Sequence, residues 1–267
     1  MRISFVSDIH GNAAALAAVA GAAEQLVVLG DLLDYVDYHD PGAGILGEAF
    51  GADRVGQFTA LRSIGDFTGL HRLNTELWSA MADPVGSLAD VVDRRYRQML
   101  NALSHAHSVP LLILGNVDVL AAWEAVAGDQ LPSIDGRVIE LAGRRFGFVA
   151  GGASRHRRSP EIVAGMAWRP YMRPADEYLA TVARLGQVDV LCSHLPPNLA
   201  ALRYDQLPAR LEAYGPGLLE AISRHQPQLA VFGHVHQPMS ERVRYLRTEC
   251  VNVGHFARRP RAFELEL

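Results

Sequence analysis

The sequence predicts an α/β fold: a four-layer αββα sandwich of two mixed β-sheets flanked by helices, with an inserted helical cap. Three observations lead there. Short apolar runs alternate with helix-forming stretches, nearly every such run stops at a glycine or polar turn, and a second set of runs has period-2 patterning with connections too short for a crossover helix. The chain has 267 residues, 49% apolar and 20% charged, so it can bury a large core. It is read as one domain over 1–267, with 35–108 as a mainly helical cap.

The opening runs "RISFVS" and "QLVVLG" read as buried strands. "NAAALAAVAGAAE" lies between them, a strong helix former with Asn12 placed as its cap. This β-α-β pattern returns at Val109–Gly115 followed by "VLAAWEAVA", at Val188–Ser193, and at Leu229–Gly233 after the helical "PARLEAYGPGLLEAISRH". "RVIELAG" with "RRFGFVAG", and later "RVRYLR", "ECVNVG" and "AFELEL", read instead as antiparallel strands of a second sheet. Between Tyr35 and Ser108 the chain is longer than one crossover needs. "DPGAGILGEAFGADRVG" reads as loop, and two helices follow, one carrying Leu70, Leu73, Leu77 and Met81, the other Leu88, Val92, Tyr96, Met99 and Leu103.

The bulk numbers exclude several classes. A net charge of −4 and a pI near 6.2 leave no global basic field, so nucleic acid and anionic membranes are not expected partners. Two local basic clusters, Arg155/Arg157/Arg158 and Arg258/Arg259/Arg261, read first as solvated surface. Cys192 and Cys250 form no disulfide framework and fit a reducing compartment. The N-terminus reaches Asp8 before any leader-like apolar core, and the alanine-rich run from Ala13 to Ala23 is shorter than the roughly 20 residues a membrane span needs. The expectation is a cytoplasmic protein.

The chemistry-bearing residues sit where these strands end. The first run ends in "SDIHGN", the second in "GDLLD", the third in "GNVD", and later runs in "SHLPP" and "GHVH". In open α/β proteins, loops at the carboxyl ends of strands converge on one crevice. Residues two apart share a side of an extended segment, so Asp8 with His10, and His234 with His236, can each aim a pair at one centre. Oxygen and imidazole donors without thiolate suit manganese, iron, zinc or nickel. Each fragment alone is weak, since Gly-Asp is a common turn and Asn after Gly a common left-handed residue. Their conjunction at successive strand ends carries the argument.

Taken together, "DIH", "GDLLD", "GNVD", "SH" and "GHVH" resemble the signature of the calcineurin-like metallophosphoesterases. The resemblance runs from Ser7 to His236 and implies a two-sheet sandwich with a binuclear centre on one rim. It assigns Asp8, His10, Asp31 and His236 to one divalent metal, and Asp31, Asn116, His194 and His234 to the other, with Asp31 bridging. It implies hydrolysis of a phosphodiester or activated phosphomonoester by a metal-bridging hydroxide, with Asp31 and Asn116 in the catalytic set and Asn116 also touching substrate.

One position departs from the pattern. Many phosphomonoesterases of that family carry His where this chain has Val117, which can neither donate a proton nor bind an anion. Better turnover of esters whose leaving group needs no protonation is therefore expected, with His39 in "YHDPG" as the candidate replacement acid. His71, His105 and His107 read as solvated, and Asn252 is not taken as a ligand. Arg155 and His156 are candidate substrate contacts. The expected partner is a small phosphoester, nucleotide-derived ones included. A catalytically weak metal-binding scaffold and a nuclease of the same fold are the competing readings.

Overall fold

The computed structural model describes residues 1–154, 167–204 and 213–267. Strands β1 (Arg2–Val6), β2 (Gln25–Leu29), β3 (Leu111–Ile113) and β12 (Phe263–Glu266) form one sheet in the order β12-β1-β2-β3. Strands β4 (Val138–Leu141), β5 (Arg144–Val149), β8 (Val190–Ser193), β9 (Leu229–Phe232), β10 (Arg242–Tyr245) and β11 (Thr248–Asn252) form the other, in the order β10-β11-β9-β8-β5-β4. Within them β1-β2-β3 and β5-β8-β9-β11 are parallel, while β12, β4 and β10 pair antiparallel at the edges. A small parallel pair, β6 (Gly152–Ser154) with β7 (Met172–Pro174), completes the strands described.

Period-2 geometry sorts each strand's side chains into two layers. Ile3, Phe5, Val27, Leu29 and Ile113 of the first sheet meet Phe146, Phe148, Val190, Cys192 and Val231 of the second, forming the core between the sheets. The alternate residues Val6, Leu26, Val28 and Leu112 turn outward against helices α1 (Ala13–Ala22), α5 (Pro84–Leu103) and α6 (Leu120–Ala127). On the far side Val149, Leu191, Ala230 and Phe232 pack beneath α7 (Ala175–Leu185) and α8 (Leu218–His225). Both faces of the central strands are covered, which explains why those strands are continuous apolar runs.

The caps follow the sequence. Asn12 accepts a hydrogen bond from the Ala15 amide at 3.2 Å, and Asp83, just before Pro84, accepts from the Gly86 amide at 2.9 Å. Three expectations need correction. The stretch 40–56 is not loop: it holds α2 (Gly44–Phe50) and the start of α3 (Ala52–Ser63), which with α4 (Phe67–Ser79) and α5 give the segment four helices rather than two. Glycines lower helix propensity there, yet Ile45, Leu46 and Val55 are fully buried, and tertiary burial outweighs propensity. "AFELEL" joins the first sheet, because β12 pairs with β1 from Arg2↔Glu266 to Phe5↔Phe263. Alternation reveals a half-covered strand but not its partner. The helix expected over 208–225 is seen only from Leu218, after Gly217 at φ +83°; residues 208–212 lie outside those described.

Helix α5 packs on α1 and α6 and is the crossover between β2 and β3, while α2 and α3 precede it beyond the carboxyl end of β2. No helix among the described residues is long and apolar enough to cross a membrane.

The inter-sheet core sets a stability expectation. Phe148→Ala, at a fully buried inner position, should lower unfolding free energy by about 3–5 kcal/mol in a denaturant titration. Val138→Ala, on a strand position 37% exposed, should cost less than about 0.5 kcal/mol.

Candidate metal centre

The five motif-bearing strands β1, β2, β3, β8 and β9 run parallel within their sheets. The side chains that follow them meet in two groups: Asp8, His10 and His236 in one, Asp31, His194 and His234 in the other. Asp31 lies between them, with Oδ2 3.4 Å from His194 Nε2 and 3.9 Å from His10 Nε2. Asn116 adds a seventh donor, its Oδ1 2.8 Å from His194 Nε2 and 2.7 Å from His234 Nδ1. His236 Nε2 stands 3.2 Å from Asp8 Oδ1 and 3.0 Å from His10 Nε2.

These side chains are aimed by strained backbone. Asp8, His10, Asp31 and His234 have φ of +59°, +40°, +53° and +69°, a region non-glycine residues seldom occupy and which costs on the order of 1–3 kcal/mol each. Cross-links between the loops hold the strain. The Asp8 amide donates to the Gly30 carbonyl at 3.0 Å, the His10 amide to the Asp31 carbonyl at 2.9 Å, and the His234 amide to Asp8 Oδ2 at 2.9 Å. Asp118, wholly buried, ties the second loop to the third: its carboxylate accepts from the amides of Leu32, Leu33 and Gly115 and from the Tyr96 hydroxyl. It braces the loops. Asn252 is likewise a brace, donating to the Val235 carbonyl at 2.9 Å.

Two glycines admit the close approach. A Cβ on Gly115 would fall 2.1 Å from Asp31 Oδ1, and one on Gly233 would fall 1.9 Å from Ser7 Oγ and 2.3 Å from Asp8 Oδ2. The glycines of "GNVD" and "GHVH" are thus as much part of the site as the donors.

Electrostatics follow from packing acids and imidazoles together. Burial pushes Asp8 up, but the hydrogen bond and charge of His236, with the charges of His194 and His10, overcome it and hold the carboxyl below its usual range. Asp31 is lowered in the same way against its burial, mainly by His194. His194, which burial alone would lower, is raised to about 9 by Asp31; His234, buried beside His194, is pushed down to about 3. Burial raises Asp118 to about 6, assisted by the charge of Asp31 and opposed by its amide hydrogen bonds.

The donors fit two divalent cations. His10 Nδ1 donates to the Leu33 carbonyl and His194 Nδ1 to the Leu29 carbonyl, each at 2.8 Å, so Nε2 is the nitrogen of each neutral imidazole that can ligate a cation. The Nε2 atoms of His10 and His236 stand 3.0 Å apart, near enough for one cation to take both. Carboxylate, amide oxygen and imidazole without thiolate suit manganese, iron, zinc or nickel.

Above the donors opens a cavity of about 270 Å³. His39 lines it from an exposed loop, whereas His71, His105 and His107 stand exposed on the surface and do not. Arg155 and His156 lie outside the described residues. Sequence reasoning missed His255, which lines the cavity and stacks on His236 at 4.0 Å between ring centroids. Burial, with the charges of His236 and His10, lowers it to about 3. Its signal was present: β11 runs parallel to β9, so the turn after Asn252 opens on the same rim. Reading "ECVNVG" as a hairpin strand hid it. The aromatic lining from Tyr35, Phe58 and Trp168 also escaped notice, because nothing in their spacing ties them to one cavity.

The family model described as calcineurin-like phosphoesterase matches residues 1–238. The chain belongs to that family. Membership makes this calcineurin-like phosphoesterase a metal-dependent hydrolase of small phosphoesters in general, and the family typically binds two divalent metals. One solved structure is 16% identical, with a TM-score of 0.57, over 96% of this chain and 91% of its own. A protein of Thermus thermophilus is 13% identical, with a TM-score of 0.53, over 98% and 97%. The phosphopantetheinyl hydrolase of Mycobacterium tuberculosis is 15% identical, with a TM-score of 0.47, over 96% and 92%. The first two share the fold; none of the three speaks to substrate. No curated protein matches.

Gly233→Ala should displace Asp8 and Ser7, whose atoms lie where the new Cβ would fall. Elemental analysis of the purified variant is expected to show loss of metal from the Asp8 group at least; wild-type metal content would count against the packing described.

Proposed function

We propose that this calcineurin-like phosphoesterase hydrolyses a phosphodiester, or a phosphomonoester with a good leaving group, at a binuclear centre. Asp8, His10, Asp31 and His236 would hold one cation, and Asp31, Asn116, His194 and His234 the other. The observation that carries the reading is Asp31 Oδ2 lying between two donor groups built from separate strand ends. When bound, the two cations would supply hydroxide at neutral pH and neutralise charge accumulating on the phosphoryl oxygens.

The chain's own residues do the rest. The Val117 amide donates to Asp31 Oδ1 at 2.8 Å, which fixes the carboxylate so that Oδ2 faces the two donor groups. Asn116 turns its Oδ1 to His194 and His234 and leaves its amide nitrogen to contact a substrate oxygen. The Val117 side chain offers no proton to the departing oxygen, so that proton would come from His39 on the cavity rim or would not be needed. Arg155 and His156 are kept as phosphate contacts, manganese as the first metal to supply, and the cytoplasm as the compartment. The segment 35–108, inserted into a single domain of 1–267, would act as a cap that shapes the substrate.

Asp31→Ala and Asn116→Ala should each remove bound metal and activity together, with kcat/KM falling at least about a thousandfold. Full turnover by a metal-free sample would refute the proposal. Under saturating Mn²⁺, bis(p-nitrophenyl) phosphate and p-nitrophenyl phosphate should both be hydrolysed faster than a serine phosphate monoester; a preference for the alkyl monoester contradicts the reading of Val117. His39→Ala should slow the poorest leaving group by about 10²-fold or more and the nitrophenyl diester least. Equal rates on every substrate would remove His39 from the mechanism.

A further inference from the structure

Helix α3 buries one stripe of its surface. Val55 and Phe58 are three apart and almost fully buried, and Arg62 follows four residues on along the same face. An arginine is a poor choice for the buried side of a helix unless its charge is met. Here the side chain is half-buried and lines the cavity over the metal donors. Its guanidinium lies over the Tyr38 ring, 5.3 Å from the centroid, and among the described residues it meets no carboxylate. Among the described residues the cavity's other arginine, Arg258, has Asp37 at 3.5 Å.

Around Arg62 the wall is aromatic. Tyr35 stacks on Trp168 at 4.0 Å and stands edge-on to Phe58 at 6.4 Å, and Val117 and Met172 continue the apolar surface down to Asn116. Tyr204, also in the wall, donates its hydroxyl to the His234 carbonyl at 2.9 Å and feels the Arg62 charge, which links the arginine to the rim of the metal centre.

We propose that Arg62 is a specificity-determining residue that binds a second negative group of the substrate. The substrate class is then a phosphoester with a planar apolar part lying along Phe58, Tyr35 and Trp168, and a second anion (carboxylate or further phosphate) held by the guanidinium. The planar fork of five N–H donors suits either group bidentately. This rests on the reading of the donors as a phosphoesterase centre, and binding can be measured apart from turnover.

The test uses three ligands with non-hydrolysable carbon–phosphorus bonds: benzylphosphonate, 4-carboxybenzylphosphonate and p-xylylenediphosphonate. Isothermal titration of the Mn²⁺-loaded protein should find at least one of the doubly anionic ligands about tenfold tighter than benzylphosphonate, the usual strength of one charge-assisted pair. Which one gains names the second anion. Arg62→Gln should erase that advantage, and Arg62→Lys, which keeps the charge but loses the fork, should retain a severalfold part of it. Equal binding of all three ligands by the wild type, or an advantage that survives Arg62→Gln, overturns the proposal. A clear advantage in a protein that cleaves no nitrophenyl ester would keep the anion subsite and sink the hydrolytic reading; cleavage without any advantage would do the reverse.

Discussion

The constraint on which the molecule depends is the placement of the Asp31 carboxylate. It follows a strand buried on both faces, it is 2% exposed, and its backbone is held at φ +53°. A buried acid needs compensation, and Asp31 has it from both directions: a backbone amide on one oxygen, imidazoles of two separate strand ends around the other. Moving this residue would disturb both donor groups at once. The tightly packed glycine at 115 and the buried brace at Asp118 serve the same end, because they fix the two loops between which Asp31 stands.

The sandwich itself explains why such a site can exist. Parallel strands place their carboxyl ends together, and two sheets stacked on one apolar core bring two such edges face to face. The sheets contribute Asp8, His10, Asp31 and Asn116 from one side, and His194, His234 and His236 from the other. Burial between the sheets, through residues such as Phe5 and Phe148, is therefore what sets the distances among donors nearly the whole chain apart in sequence. Inserted helix α3 adds Phe58 and Arg62 to the cavity wall.

Much of this was legible in the residues. Strong alternation and unbroken Val/Leu/Ile runs predicted the central strands, and the donors were readable because each follows such a run at a glycine or polar turn. What escaped had a physical reason in each case. Four glycines fall between 44 and 56, three within α2 and α3 and one between them, so local propensity pointed to loop while burial of Ile45 and Val55 decided for helix. The last strand's alternation was plain, but its pairing with β1 is a long-range choice no local pattern encodes. His255 was passed over because its strand's parallel neighbour was unknown, and Arg62 because an isolated arginine in a helix ordinarily reads as surface.

The central claim is that the two donor groups bind two adjacent cations with Asp31 between them. Anomalous diffraction at the manganese edge, from crystals grown with Mn²⁺, tests it most directly. The account predicts two peaks roughly 3.5–4 Å apart, one against Asp8, His10 and His236 and the other against Asn116, His194 and His234. One peak alone, or none at these side chains, would contradict it.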